Sequence, residues 1–290
     1  MEKKYYYKVA EHVFVVNNET TDNVSQWLEH YQPFLVDATD EERAFTLYIR
    51  EQVEADSFEQ EIHQDDDGSE IMAGHLNDGR SCFKFLLCRK HVATMVCTTD
   101  YREASVCMMS QQQFGLDNSL MVMYALATAT QMTALFHSSV VSCEGRGYMF
   151  LGKSGTGKST HSSLWLKHIE GTELVNDDNP VVRIVDGEAR VYGSPWSGKT
   201  PCYRNIDYPL GAIVQLSQAP YNRLTKLVKL QAYAALVPSI SGKRWDKHIA
   251  EGLHATEDWL AQHAQVWHLE CLPDADAAHV CYDGITKKEC

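Results

Sequence analysis

Gly152-Lys153-Ser154-Gly155-Thr156-Gly157-Lys158-Ser159 fits the pattern G-x-x-x-x-G-K-[ST], a loop that cradles phosphate groups. Its three glycines let the backbone turn tightly and point successive N–H groups inward, making a concave nest for an anion. Lys158 adds a positive charge toward the β- and γ-phosphates, and the Ser159 hydroxyl suits the Mg²⁺ that accompanies a nucleotide. The flanks agree with this reading. Tyr148-Met149-Phe150-Leu151 is a short apolar run that predicts a strand entering the loop. Residues 160–168 predict the helix leaving it, with its positive end on the phosphates. The competing reading is a structural Gly-rich turn.

The 290 residues are enough for one large domain or two modest ones. The formal net charge of −13 argues against a nucleic-acid groove or an anionic membrane surface as the main partner. A local basic pocket is compatible with it. Residues 1–8 carry charge but lack the apolar core and cleavage site of a secretory signal. The longest apolar stretch, 120–136, is interrupted by Thr128, Thr130, Gln131 and Thr133, which predicts a buried helix rather than a membrane span. Nine scattered cysteines without a C-x-x-C pair read as reduced thiols in a cytoplasmic protein.

The first part of the chain reads as β-rich. Residues 5–16, 43–50, 82–89 and 92–98 carry β-branched and aromatic side chains in partial alternation, and Asp78-Gly79 marks a hairpin. The acidic run Asp65-Asp66-Asp67-Gly68 lacks the ligand spacing of a calcium loop and predicts a solvated turn. From about Ser119 the pattern turns helical through Phe136. Strands are predicted at 137–144, 148–151, 173–176, 180–185, 189–192, 210–216 and 265–269, and helices at 226–237, 245–263 and 275–279. The composition shift at 110–118 is the one candidate boundary.

A phosphate cradle binds without transferring, and three further features bear on transfer. Leu174-Val175-Asn176-Asp177-Asp178 is an apolar strand ending in two carboxylates. Beside a cradle, one could hold Mg²⁺ or its water and the other accept a proton from an attacking hydroxyl. Adjacent strand residues point oppositely, so the two take different jobs. In isolation the pair reads as an exposed turn, which Asn179-Pro180 favours. His137 begins the strand that pairs with the one feeding the loop. By position alone it is a structural residue. Gly193-Ser194-Pro195-Trp196-Ser197-Gly198-Lys199-Thr200, followed by Arg204, reads either as a mobile loop closing on phosphate or as a surface loop anchored by Trp196.

These residues resemble the HPr kinase/phosphorylase and phosphoenolpyruvate carboxykinase superfamily, which joins a phosphate loop to a downstream Asp-Asp strand. The stretch from Phe150 through Thr160 is close to the carboxykinase loop, and Val175-Asn176-Asp177-Asp178 resembles its second kinase motif. His137-Ser138-Ser139-Val140-Val141 resembles the HPr kinase lead-in to the loop. The resemblance is specific over about 136–179, loose from there to 276, and absent before 119. Trp267-His268-Leu269-Glu270-Cys271-Leu272-Pro273-Asp274 is similar to bacterial HPr kinase-like proteins of unassigned substrate. The Gly-rich, Asn-containing signature of true HPr kinases and their late Pro-Gly-Arg-Asn segment are not found, which points away from HPr itself as acceptor.

Together these readings predict an α/β protein of mixed sheets. A P-loop core of the carboxykinase/HPr kinase type is expected over 116–290 and a β-rich region over 1–115. The resemblance implies transfer of the γ-phosphoryl of ATP to a hydroxyl, either seryl in a protein or peptide (some relatives phosphorylate ribosomally made precursor peptides) or on a small molecule. Gly152, Ser154, Gly155, Thr156, Gly157, Lys158, Ser159 and Thr160 are the expected nucleotide-binding residues. Ser159 and Asp178 are expected to hold Mg²⁺, Asp177 to act as base with His137 and Lys158 beside it, and Lys199 or Arg204 to neutralise developing charge. The family often forms oligomers. A nucleotide-binding sensor without turnover and a carboxykinase-like enzyme on a small acid stay open.

Overall fold

Aromatic and β-branched residues crowd the first part of the chain, and they form strands. In the computed structural model, which describes residues 3–66, 68–198 and 200–286, contacts divide the chain into two units, Met1–Thr128 and Ala129–Cys290. The first holds β1 (Lys3–Val9), β2 (His12–Asn18), β3 (Leu35–Val36), β4 (Arg43–Ile49), β5 (Glu59–Asp66), β6 (Ser69–His75), β7 (Ser81–Leu87), β8 (Lys90–Cys97) and β9 (Glu103–Met108). They make one sheet in the order β3-β1-β2-β4-β9-β8-β7-β6-β5.

The strand expected over 5–16 is a hairpin. Ala10 and Glu11 both adopt positive φ (46° and 64°), the backbone that a two-residue hairpin turn requires. The turn at Asp78-Gly79 joins β6 to β7 as expected, closed by Leu76 N–H to Arg80 O at 2.9 Å. In the acidic run, Asp65 and Asp66 are exposed at the end of β5, and Asp65 Oδ1 accepts the Gly68 N–H at 3.0 Å. Asp67 lies outside the described residues.

Helix α1 (Gln112–Thr128) packs on β4, β8 and β9. A Cβ on its Gly115 would stand 2.9 Å from that of Ala93, so helix and sheet approach closely there. Its Tyr124 hydroxyl donates to Val9 O at 3.0 Å. The helix therefore belongs with the first unit, and the units part after Thr128 rather than at 115. It also starts earlier and stops sooner than the apolar pattern of 119–136 implies. Met132 takes positive φ (51°), and Thr133–Leu135 leave the helix to pair as a strand.

The second unit contains β10 (Thr133–Leu135), β11 (Ser138–Cys143), β12 (Arg146–Leu151), α2 (Lys158–His168), β13 (Glu173–Asn176), β14 (Val181–Val185), β15 (Glu188–Tyr192), β16 (Asp207–Gln218), β17 (Arg223–Leu227), α3 (Leu230–Leu236), α4 (Lys247–His263), β18 (Val266–Cys271) and α5 (Ala275–Thr286). The sheet order is β10-β14-β15-β16-β12-β11-β13, with β18 also on β16 and β17 on β18. Strand β16 pairs β15 through its first residues and β12 and β18 through the rest. The helix expected over 226–237 is instead the end of β17 followed by α3, because Lys229 at φ 50° breaks the run.

β12 is buried from Gly147 to Leu151, as the central strand of a covered sheet should be. Trp165 fixes α2 over it, fully buried with its ring 5.5 Å from Phe150 and 5.2 Å from Tyr148. Helix α5 joins this core through Ala278, Cys281 and Ile285. The result is a mixed α/β protein with large mixed sheets. Among the described residues no helix is long and apolar enough to cross a membrane.

Candidate functional site

Four strands of the second unit bring their carboxyl ends to one edge of its sheet. β12 is parallel to β16, and β16 to β18. β13 is antiparallel to β11, itself antiparallel to β12, so β13 ends on the same side. Ligands of open α/β sheets bind outside such carboxyl ends. The loop 152–157 follows β12 there, Asp177 and Asp178 follow β13, and His137 immediately precedes β11, whose Ser138 pairs with Leu151.

The loop needs glycine where the chain turns left-handed, at Gly155 (φ 78°) and at Gly157 (φ 110°), the N-cap of α2. The first amides of a helix have no intrahelical acceptor. Here no cap side chain takes them and no acidic residue stands in the first turn to offset the positive helix end, whereas Lys167 and His168 complement the negative end. The positive end of α2 is therefore not offset by the helix's own side chains. Lys158 is buried and its Nζ donates to Gly152 O at 3.0 Å, which lays the ammonium across the loop. Ser154, Ser159 and Thr160 are exposed, and Thr156 N–H closes the loop on Lys153 O at 3.1 Å.

Asp177 is buried, and its Oδ1 accepts the Ser139 hydroxyl at 2.9 Å. Ser139 Oγ lies 2.6 Å from Ser162 Oγ on α2. Because the Ser139 proton is given to the carboxylate, Ser162 donates to Ser139. Ser159 and Ser162 stand three apart and share one helix face. A continuous hydroxyl path therefore links the acidic turn to the face of α2 that carries Ser159. The second oxygen of Asp177, Oδ2, is buried with no hydrogen-bond partner, which is costly for a carboxylate and marks a place for a donor or cation.

Asp178 is about one-third exposed, and its Oδ1 stands 3.8 Å from His137 Nε2. Asn179 Nδ2 donates to its Oδ2 at 2.7 Å. Asn176 shapes this turn. Its Oδ1 accepts the N–H groups of Asp178 and Asn179, both at 2.9 Å, and its Nδ2 reaches Ser194 Oγ at 3.1 Å and Trp196 O at 3.2 Å. Ser194 Oγ donates to Asn179 O at 2.6 Å, and Trp196 is buried. Residues 194–196 thus anchor the acidic turn, as the Trp196 reading of that segment anticipates, and are tied down rather than hinged. A Cβ on Gly198 would come within 3.1 Å of Asp178 Cβ, so the segment lies against the pair.

Arg204 is placed elsewhere. Its guanidinium donates to Leu174 O at 2.7 Å and Glu173 Oε2 at 2.8 Å, at the opposite end of β13. With a rise of about 3.3 Å per residue, Leu174 is roughly 10 Å along the strand from Asp177. Arg204 locks the strand rather than facing a phosphoryl group. Lys199 lies outside the described residues. Among the described residues no three His, Cys, Asp or Glu side chains converge to hold a metal. Ser159 and the two aspartates offer oxygen donors only, a set suited to Mg²⁺ when phosphate oxygens complete the shell.

On another face of α2, a cleft of about 570 Å³ opens between the loop, the start of α2 and the segments that follow β16 and β18. His161 lines it and is buried. Its Nε2 accepts the Trp165 indole N–H at 3.1 Å, which places the proton of the neutral ring on Nδ1. That Nδ1 is buried without a hydrogen-bond partner. Burial pushes the imidazole pKa down to about 4, so the ring is neutral at physiological pH.

Sequence reading missed Ser139, Ser162, Asn176 and His161. The signals available were the i, i+3 spacing of Ser162 from Ser159 and the Asn immediately before two carboxylates.

The chain is similar to the Hpr(Ser) kinase/phosphatase from Coxiella burnetii, at 10% sequence identity and a TM-score of 0.31, over 52% of this chain and 95% of that one. No family model and no curated protein matches it.

Proposed function

We propose that the second unit is an ATP- and Mg²⁺-dependent kinase of the HPr kinase-like type, transferring the γ-phosphoryl group to a hydroxyl of a peptide, a protein or a small molecule. The observation that carries this reading is the hydroxyl path Ser162–Ser139–Asp177, which couples the helix leaving the loop to the acidic turn. A binder needs the loop alone. A transferase also needs a carboxylate aligned with it.

In this reading the amides of Gly152, Ser154, Gly155 and Gly157 and the Thr156 hydroxyl, with the amides of Lys158, Ser159 and Thr160 at the helix start, hold the phosphates, and Lys158 adds its charge. Ser159 and Asp178 hold Mg²⁺. When bound, the ion offsets negative charge on the phosphate oxygens. Asp177 takes the proton of the acceptor hydroxyl as the new O–P bond forms and the bond to the β-phosphate oxygen breaks, releasing ADP. His137, beside Asp178, positions that carboxylate or the acceptor. The eight cysteines among the described residues are free, in keeping with a cytoplasmic setting.

The test is transfer by the wild type against Asp177→Asn. The wild type is expected to release ADP with a seryl or small-molecule acceptor, and the variant to bind ATP but lose turnover by about 10²–10⁴-fold, the usual weight of a general base. If both bind ATP and neither releases ADP across acceptors, the protein is a sensor. ADP release that depends on a small carboxylic acid in place of a hydroxyl acceptor would identify the carboxykinase-like alternative.

A further inference from the structure

We propose that the cleft beside helix α2 seats the base of the bound nucleoside triphosphate, a flat, uncharged aromatic ring. The proposal rests on reading the loop 152–157 as the phosphate cradle, and it adds the direction in which the nucleotide lies.

Position is the first argument. At 100° per residue, Thr160, His161 and Leu164 share one face of α2, and Ser162 points roughly 150° away from the middle of that face. Thr160, His161 and Leu164 line the cleft. Ser162 leads through Ser139 to Asp177. The loop at the helix start lies between the two, so a polyphosphate held there has one end toward the carboxylates and the other toward the cleft. The reacting phosphoryl group belongs with the carboxylates, which leaves the nucleoside for the cleft. The same geometry excludes the cleft as the acceptor site, because an acceptor must reach the terminal phosphate.

Chemistry is the second argument. The apolar walls are Leu164, Leu216, Ala219, Pro220, Leu272 and Pro273, and among the described residues no Asp, Glu, Lys or Arg lines the cleft. Such a surface gains by covering an apolar ring and offers nothing to a phosphate. Its polar handles are few. Gln218, on the rim, reaches the carbonyls of Gly155 and Thr156 at 3.5 Å each, so its amide spans loop and cleft. Thr156 and Thr160 also line the cleft, and the ring of His161, held in one tautomer by Trp165, completes its inner side. The Nδ1 of that ring is buried, so His161 serves the cleft as a neutral, rigid wall rather than as a donor to a ligand.

The experiment compares ATP with inorganic triphosphate by calorimetry, in the wild type and in Ala219→Trp, which fills the cleft. The wild type is expected to bind ATP at least about tenfold more tightly than triphosphate, and the variant to bind both at the triphosphate level. Equal affinity of the wild type for the two, or an undiminished ATP affinity in a folded variant, overturns the cleft assignment and leaves the cradle standing. Binding of neither overturns the cradle, and the cleft assignment with it. Photolabelling of the wild type with 8-azido-ATP needs no substitution and decides the matter should Ala219→Trp not fold. Label within 160–164, 216–220 or 271–273 supports the proposal, and label confined elsewhere overturns it.

Discussion

Ser139 and Asp177 are joined by a 2.9 Å hydrogen bond inside the protein, and the same serine oxygen lies 2.6 Å from Ser162 at the start of the loop helix. A strand hydroxyl thereby sets the orientation of a carboxylate on one side and touches the helix on the other. Its removal should be felt at both places.

Ser139→Ala deletes that bond and leaves Asp177, already without a partner at Oδ2, with a second exposed deficit in a buried site. The expected cost is about 1–3 kcal/mol, measured by urea unfolding. Phosphoryl transfer should fall more than ATP affinity does, since the carboxylate loses its orientation while the loop keeps its amides. Stability and turnover both at wild-type values would show that the bond does neither job.

Asn176→Asp tests the organiser of the acidic turn. The shape is kept, but the Nδ2 donors to Ser194 and Trp196 are lost and a third carboxylate is placed beside two others. Destabilisation of about 2–4 kcal/mol is expected at neutral pH. Because the introduced charge is part of the cost, the loss should shrink in mildly acidic buffer. A pH-independent loss would assign the whole effect to the missing donors.

The strands around the loop were legible because β12 is an unbroken apolar run and glycines mark its end. The N-terminal hairpin was not, since Ala10 and Glu11 turn the chain without any glycine, proline or asparagine to announce it. The end of α1 was obscured because residues up to Leu135 and Phe136 are as apolar as the helix, and only pairing of Thr133–Leu135 with Val181–Arg183 makes them a strand. Within the candidate site, Gly152 to Thr160 and the two aspartates stand in fixed spacing, so the sequence alone singles them out as candidates. Ser139, Asn176 and His161 act through partners distant in sequence, and no local pattern carries that information. Arg204 shows the reverse error: nearness in sequence to a polar loop suggested a phosphate ligand, but Glu173 holds it at the far end of β13.

Lys158→Ala separates binding from folding. Its ammonium contributes one charge-assisted hydrogen bond to Gly152 O across the loop. Its loss should cost ATP about 1.5–3 kcal/mol of binding, roughly 10- to 100-fold by calorimetry. Circular dichroism should be unchanged, because Trp165 and Phe150, not Lys158, hold α2 to the sheet. ATP affinity equal to wild type would place the phosphates somewhere other than this loop.

His161 gives a pH dependence whose sign follows from its burial. The native imidazole titrates at about 4, against 6.5 for the ordinary side chain. Between those values the unfolded chain takes up a proton that the native protein does not, so stability present above pH 6.5 drains away as the pH falls toward 4. At about 1.4 kcal/mol per unit, the drop from pH 7.5 to 4.5 attributable to this ring is about 2–3 kcal/mol. In His161→Phe that part is absent. The variant loses the Trp165 hydrogen bond and starts less stable at neutral pH by about 1 kcal/mol, yet it should lose less on acidification. Urea unfolding of both proteins at pH 7.5 and 4.5 measures the difference. Parallel losses in the two would mean that the native ring protonates as readily as the unfolded one, and that water reaches the Nδ1 that lies buried beside the cleft.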